Sequence, residues 1–114
     1  MTEINLSPQA EIVTNEAGGK QSDTGTAFHY ADPLAMLALA KVLDYGAKRY
    51  DRDNWRLIEE EEHINHAITH LFAYMAGDEQ DDHLEHALCR VHMALARKLR
   101  PSYLGHAEAK PNGR

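Results

Sequence analysis

A pattern of acidic residues and histidines that occurs twice, twenty positions apart, most constrains how this chain can fold. The first copy, residues 62–70, reads EHINHAITH, and the second, residues 82–90, reads DHLEHALCR. Both follow the order acid-His-aliphatic-x-His-Ala-aliphatic-x, and in both the apolar residues recur at the three- and four-residue spacing of an α-helix. The repeat predicts a helical hairpin with two similarly decorated arms. Its turn should lie near Gly77, because glycine tolerates positive φ.

The helix faces opposite the apolar residues have an unusual composition. A solvated face carries mostly Lys, Glu and Gln, whereas these faces mix acids and histidines with small or sulfur-containing residues. At about 100° per residue, the residues opposite the apolar stripes are Glu62, His66, Thr69 and Ala73 in the first arm and Asp82, His86, Cys89 and Met93 in the second. Two interpretations are open: subunit packing through a partly polar face, or a metal-binding site between helices.

Composition excludes several classes of protein. The chain has 114 residues, enough for one small domain, and a formal net charge of −6, whereas a general nucleic-acid binder presents a basic surface. Cys89 is the only cysteine, so no intramolecular disulfide is possible and a reducing compartment is expected. No apolar run approaches the roughly 20 residues that span a bilayer. We therefore expect a cytoplasmic protein with no membrane or nucleic-acid partner.

A third long helix is predicted before the hairpin. Asp32 followed by Pro33 is a typical helix start, and residues 34–43 are apolar almost all round, which predicts a central, buried helix. No strand pattern is present. The predicted helices lie near residues 34–50, 59–76 and 81–99. Three helices in so short a chain leave apolar surface uncovered, so we expect an all-α bundle that a dimer or tetramer completes.

A glycine-rich segment, residues 18–25, contains Lys20. It lacks the spacing and the preceding strand of a P-loop, so it is either a flexible lead-in or a lid whose lysine reaches a phosphate. Residues 1–17 and 101–114 are polar and lack a sustained period. We therefore expect a flexible N-terminal arm over residues 1–17, a single domain over residues 18–100 and a loose C-terminal tail.

A polar, aromatic connector contains the only tryptophan, Trp55. One interpretation places Trp55 in the core. In the other, its ring stacks on a nucleotide base beside Asn54, while Lys48 and Arg49 contact phosphates.

Several of these segments, taken in order, resemble those of a known family. The matching segments are residues 18–22, Asp32-Pro33-Leu34, residues 46–50, Asn54-Trp55-Arg56, the first histidine motif, Gly77-Asp78 and the second histidine motif. On these residues the chain resembles the MazG-type all-α nucleotide pyrophosphohydrolases. Within that group it is similar to the small phage-encoded dATP/dGTP pyrophosphohydrolases, the MazZ-like branch. The resemblance covers about residues 18–96.

The resemblance implies hydrolysis of a deoxypurine triphosphate, dGTP or dATP, to the monophosphate and pyrophosphate, with Mg²⁺ or Mn²⁺. In phages that replace adenine by diaminopurine, relatives supply dGMP to the synthesis of the modified DNA. A phage-encoded chain would work in the host cytoplasm.

The family's metal-binding pattern, ExxE followed by ExxD, is matched by Glu59 with Glu62 and by Glu79 with Asp82. In a hairpin closed near Gly77, however, Glu62 would lie about 20 Å from Asp82. Either the site is completed across an oligomer interface, or its ligands are different.

Two local alternatives for the ligands are open. One combines Glu61, Glu62 and Asn65 with a neighbouring element, and the other combines Asp82, His86 and His70 near the tip. Antiparallel pairing would place His70 beside His86 and His66 beside Arg90. A site rich in histidine would favour manganese or another transition metal, because magnesium prefers oxygen ligands.

Our mechanistic hypothesis is metal-assisted hydrolysis between two acidic turns. The candidate metal ligands are Glu59, Glu61, Glu62, Asp81, Asp82 and His86, and the candidate catalytic residues are Glu62, His66 and His70. The candidate substrate contacts are Lys20, Lys48, Arg49 and Arg90 for the phosphates, and Trp55 with Asn54 or Asn65 for the base. The rivals are a different metal-dependent phosphohydrolase and a catalytically silent helical oligomer that binds a partner.

Overall fold

A computed structural model describes residues 10–101 of the chain. Most of the predicted N-terminal arm and nearly all of the predicted C-terminal tail lie outside the described residues. The chain divides after Asp32 into two compact units. The first is described over residues 10–32, and the second contains the three long helices.

The N-terminal unit contains a small antiparallel hairpin, although the sequence predicted no strand. Strand β1, Ile12–Thr14, pairs with β2, Lys20–Ser22. The side-chain oxygen of Asn15 accepts hydrogen bonds from the backbone N–H groups of Ala17 and Gly19, at 3.0 Å and 2.8 Å, and so shapes the turn. Three-residue strands are too short for an alternating pattern to be recognised in sequence, which is why the prediction missed them.

The second unit has the three predicted helices, with boundaries within two residues of those expected. They are α1, Pro33–Arg49, α2, Glu60–Met75, and α3, His83–Leu99, and a short 3-10 helix, Asn54–Leu57, lies in the connector. The all-α class is thus confirmed. Among the described residues, no helix combines the length and the hydropathy that crossing a membrane requires.

The hairpin of α2 and α3 turns at Gly77. This residue has a φ of 89°, and its N–H donates to the Tyr74 carbonyl at 3.0 Å. Positive φ is easily reached by glycine and costs other residues energy, which explains why the turn falls here. The chain reverses within a few residues and directs α3 back along α2.

Small side chains and one imidazole fill the interior of the hairpin. Ala67 of α2 and Ala87, Cys89 and Ala94 of α3 are buried, and His63 has no exposed surface. The long apolar side chains of both helices are 40–68% exposed: Ile64, Ile68, Leu71, Phe72, Met75, Leu84, Leu88, Val91 and Leu95. The apolar stripes read from the sequence therefore point away from the interior of the single chain, a direction that helical periodicity does not determine.

Helix α1 is not buried as the sequence predicted. It packs on α3, yet Leu39 is its only buried residue, and Leu34 and Leu37 are 76% and 60% exposed. A helix that is apolar all round needs neighbours on every side, and the second unit provides α3 on one side. The prediction of burial is wrong for the single chain.

Two glycine substitutions should change stability in opposite directions. Gly77→Ala should lower the free energy of unfolding by about 1–2 kcal/mol, because a Cβ disfavours the left-handed conformation. Gly46 lies inside α1 without positive φ, and an added Cβ would meet no atom within 4 Å. Gly46→Ala should therefore raise the free energy of unfolding by about 0.5–1 kcal/mol. Urea unfolding at one protein concentration checks both, and equal effects would contradict the assignment of the turn.

Candidate functional site

A cleft of about 190 Å³ opens between α1, the connector and α3. We call it the connector cleft. Its walls are partly apolar, and its polar lining consists mainly of Arg49, Asn54, Trp55, His86 and Arg90. Four of these were predicted as substrate contacts, and His86 was predicted as a metal ligand. The fold thus brings together residues that lie up to 41 positions apart in the sequence.

A wider, more open groove of about 940 Å³ continues from this cleft between α1 and the start of α3. We call it the acidic groove, because Asp44, Asp81, Asp82 and Glu85 line it. His86 and Arg49 line both spaces. The two spaces therefore adjoin, with most of the carboxylates in the groove and with Arg90 and the indole ring of Trp55 in the cleft.

Arg49 is held in place by two tyrosines. Its Nη1 donates to the hydroxyl of Tyr45 at 3.0 Å, and its guanidinium carbon lies 5.4 Å from the centre of the Tyr50 ring. The hydrogen bond to Tyr45 raises the pKa of Arg49, which stays cationic. Lys48 instead pairs with Asp44 at 3.0 Å and does not line the connector cleft. Of Lys48 and Arg49, it is therefore Arg49 that is placed to contact a ligand in the cleft.

The buried imidazole of His63 joins three segments. Its Nε2–H donates to the backbone carbonyl of Trp55 at 2.9 Å, and its Nδ1 accepts a hydrogen bond from Nη1 of Arg90 at 3.1 Å. A carbonyl can only accept and a guanidinium can only donate, so the two partners define a neutral tautomer. Burial lowers the pKa of His63, and the Arg90 charge lowers it further.

His63 was not predicted as a site residue from the sequence, and Arg90 was expected beside His66. One signal in the sequence could have indicated that His63 is buried. His63 lies four residues before Ala67, so the two side chains share the interior face of α2.

Trp55 is neither fully in the core nor fully exposed, the two positions that its sequence context allowed. It is half-buried, and the Arg56 guanidinium lies over its ring at 4.3 Å from the centre. The His92 ring lies 5.6 Å away, and burial lowers the pKa of His92. The indole is therefore anchored by protein contacts and still lines the connector cleft.

At the tip of the hairpin, three imidazoles meet two carboxylates. We call this group the tip cluster: His70, Asp78, Asp81, His83 and His86. The rings of His70 and His86 stack at 5.1 Å, as the predicted pairing required. Nδ1 of His70 lies 2.9 Å from Nδ1 of His83, Nε2 of His83 lies 2.5 Å from a carboxylate oxygen of Asp78, and Nε2 of His86 lies 3.4 Å from one of Asp81.

The charge states in the tip cluster follow from these contacts. Burial is the main cause that lowers the pKa of His70, and the neighbouring His86 lowers it further. The hydrogen bond from His83 lowers the pKa of Asp78, which is therefore an ionised acceptor. Neither His83 nor Asp78 was predicted as a site residue, because contacts across a turn depend on side-chain directions that spacing alone does not give.

The other predicted acidic set lies at the opposite end of the hairpin. Glu61, Glu62, Asn65 and His66 are exposed on the first turns of α2, a helix about 24 Å long. Glu59, just before it, lies 4.0 Å from Nη2 of Arg97. The Nε and Nη1 atoms of Arg97 are buried and have no hydrogen-bond partner among residues 10–101. Within one chain these residues do not join the acidic groove.

Lys20 lies exposed in the N-terminal unit, and its role as a phosphate contact stays a prediction.

The comparisons with known proteins agree with the sequence resemblance. A family model described as dATP/dGTP diphosphohydrolase, N-terminal, matches residues 15–104, about four fifths of the chain. No curated protein and no solved structure matches. The family description indicates a hydrolase that acts on dATP or dGTP.

The His63→Gln variant should lose stability and part of its dependence on pH. Leaving a buried partner of His63 without its hydrogen bond costs about 1–3 kcal/mol. In the native chain, burial keeps the pKa of His63 below its ordinary value of 6.5, so below pH 6.5 the unfolded chain binds a proton that the folded chain resists. Stability therefore falls as the pH drops below that value, and the fall should be shallower in the variant.

Urea unfolding above and below pH 6.5 measures both effects. His66→Gln is the matched control, because His66 lies three residues later on the same helix and is exposed. An unchanged pH slope in His63→Gln would contradict the assigned neutral tautomer.

Proposed function

The chain belongs to the dATP/dGTP diphosphohydrolase family, and from this we propose that it hydrolyses dATP, dGTP or both to the monophosphate and pyrophosphate. The observation that supports this most directly is the continuity of the acidic groove with the connector cleft through Arg49 and His86. A nucleoside triphosphate needs a place for its base, cations for its phosphates and carboxylates for the divalent ions that accompany it. The connector cleft and the acidic groove, which share Arg49 and His86, offer all three.

The base belongs in the connector cleft. Pockets for whole ligands occupy about 300–1,000 Å³, and the connector cleft, at about 190 Å³, suits one part of a nucleotide. Trp55 offers an aromatic surface, and Asn54 offers both a donor and an acceptor for the edge of a purine. Arg49 and Arg90 are then positioned for phosphate oxygens, which guanidinium groups bind with two parallel hydrogen bonds.

Divalent ions belong in the acidic groove. Asp44, Asp81, Asp82 and Glu85 supply carboxylate oxygens, the ligands that Mg²⁺ and Mn²⁺ accept. An ion held there would neutralise phosphate charge and lower the pKa of a bound water. The donor set therefore fits the metal dependence that the family resemblance implies.

His86 is the proposed general base. In the reaction, the oxygen of a water molecule bonds to the α-phosphorus, the bond from that phosphorus to the bridging oxygen breaks, and pyrophosphate leaves. The imidazole of His86 can accept the proton of the water, and the Asp81 carboxylate at 3.4 Å stabilises the resulting imidazolium. His70, stacked on His86, orients the ring. His66 lies exposed on the first half of α2 and does not line either space.

Direct attack by water is favoured over a covalent intermediate. Cys89 lines the connector cleft, but burial raises the pKa of its thiol. The nucleophilic thiolate is therefore scarce.

We also propose that further copies of this chain cover the exposed apolar faces of the helices. Large apolar side chains along α1, α2 and α3 are 40–76% exposed, and large exposed apolar patches mark protein–protein interaction sites. Assembly would also allow the acids at the start of α2 in one copy to approach the acidic groove of another. In a dimer or tetramer, the acids at the start of α2 and the acids of the groove could therefore belong to one site, although they lie apart in a single chain.

Product analysis tests the proposed reaction. The purified protein should convert dGTP or dATP to the monophosphate and intact pyrophosphate in the presence of Mg²⁺ or Mn²⁺, as separated by ion-exchange chromatography. Release of single phosphate groups would indicate a different phosphohydrolase. No turnover of any deoxynucleotide or ribonucleotide with either metal would support the silent oligomer.

Carboxylate variants test which acids take part. Asp82→Asn and Glu85→Gln should lower kcat at least 100-fold, because each removes a charged ligand from the groove. Glu60→Gln is the control, since Glu60 is an exposed carboxylate that lines neither the connector cleft nor the acidic groove. Glu62→Gln decides the assembly of the site: a comparable loss would mean that sites are shared between copies, and normal activity would mean that the groove is sufficient.

Light scattering tests the proposed assembly. Ile68→Glu places a charge in the exposed apolar face of α2 and should reduce the dimer or tetramer to smaller species. Thr69→Glu adds the same charge at the next, equally exposed position outside that face and should leave the mass unchanged. A monomeric native chain at micromolar concentration would refute the proposal.

A further inference from the structure

The tip cluster contains two imidazole nitrogens that face each other. Nδ1 of His70, on α2, lies 2.9 Å from Nδ1 of His83, at the start of α3. A carboxylate oxygen of Asp81 completes a set of three ligand atoms, all within 4.8 Å of one another. Among residues 10–101, this is the one such set of three histidine, cysteine, aspartate or glutamate side chains.

A second carboxylate prepares His83 to be a ligand. Asp78 accepts a hydrogen bond from Nε2 of His83 at 2.5 Å, which leaves the lone pair for Nδ1 when the ring is neutral. Histidines that bind metals almost always donate their other ring N–H to a carboxylate or a carbonyl, and this bond fixes the tautomer and raises the basicity of the ligand nitrogen. The relation of Asp78 to His83 has this form.

We propose that His70, His83 and Asp81 bind one transition-metal ion of the zinc type at the hairpin tip. Two imidazoles and one carboxylate are ligands that zinc and cobalt accept, whereas magnesium prefers oxygen. Metal–nitrogen bonds of about 2.0–2.1 Å would hold the two Nδ1 atoms about 3.3 Å apart in tetrahedral geometry. The rings need to separate by only a few tenths of an ångström from their present 2.9 Å.

The ion would connect the ends of α2 and α3 across the turn. His70 and His83 are thirteen positions apart, so binding closes a short loop and restricts the unfolded chain. It would also hold the carboxylate of Asp81, which lines the acidic groove. The inference goes beyond the proposed hydrolysis, although the site shares Asp81 with the acidic groove and His70 stacks on His86. Its third ligand, His83, lines neither the acidic groove nor the connector cleft, so metal binding is measured here without reference to turnover.

The test uses the full chain, free of any affinity tag and stripped of metal with a chelator. Calorimetric titration with Zn²⁺ should give one equivalent per chain, and Co²⁺ should give the intense visible absorption of a tetrahedral site. Both metals should raise the melting temperature, and excess Mg²⁺ should not displace them. His70→Gln and His83→Gln should abolish the cobalt absorption. His29→Gln removes an exposed histidine of the N-terminal unit and should bind as the native chain does.

Asp78→Asn keeps all three ligands and should weaken Zn²⁺ binding roughly 10- to 100-fold, the usual effect of removing a hydrogen-bond partner of a ligand. This variant keeps the test decisive if a histidine variant fails to fold, which circular dichroism checks. The proposal is overturned if the native chain binds no stoichiometric Zn²⁺, or if His83→Gln and Asp78→Asn bind it as tightly as His29→Gln does. The proposal is also overturned if His86→Gln loses Zn²⁺ binding while His70→Gln and His83→Gln keep it, because His86 is not one of the proposed ligands.

Discussion

Most of the candidate site depends on one buried imidazole. His63 belongs to α2, yet its two hydrogen bonds reach the Trp55 carbonyl in the connector and the Arg90 side chain on α3. Both partners also line the connector cleft. Binding sites hold their geometry when hydrogen bonds from outside the ligand contacts fix the side chains that line them. His63 provides these bonds only while its ring is neutral, because Nδ1 must accept from Arg90. The shape of the cleft is therefore tied to a histidine that no ligand touches.

The small residues inside the hairpin have a second consequence. Alanine and cysteine at the contact let α2 and α3 approach closely, but they bury little apolar area, and the larger apolar side chains face outward. The single chain thus obtains less hydrophobic stabilisation than its composition would permit. Two of the uncovered apolar side chains of α1, Leu34 and Leu37, also line the acidic groove. In the proposed assembly, covering these faces would add the hydrophobic stabilisation that the single chain lacks.

The sequence predicted the helices closely, and several residues that it named as candidate contacts lie around one cleft. Pro33 and Gly77 mark helix ends through backbone geometry that is local, so periodicity and end signals were sufficient. Arg49, Asn54, Trp55 and Arg90 were each named as candidate substrate contacts, and the structure places all four around one cleft. Their role as contacts stays a prediction. The direction of each apolar stripe was not predictable, because a helical period defines a face without saying what covers it. The contacts of the tip cluster were missed for a related reason: they depend on rotamers at a turn.

The position of Cys89 gives the molecule a built-in reporter. It is the only cysteine of the chain, it is buried, and it lines the connector cleft. A thiol reagent can reach it only when α1 or the connector moves away from α3, so the rate of its modification measures how often this space opens. A molecule that occupies the cleft should slow that reaction in proportion to its occupancy. The native chain can therefore report ligand binding through the chemistry of a single sulfur atom, without a label and without turnover.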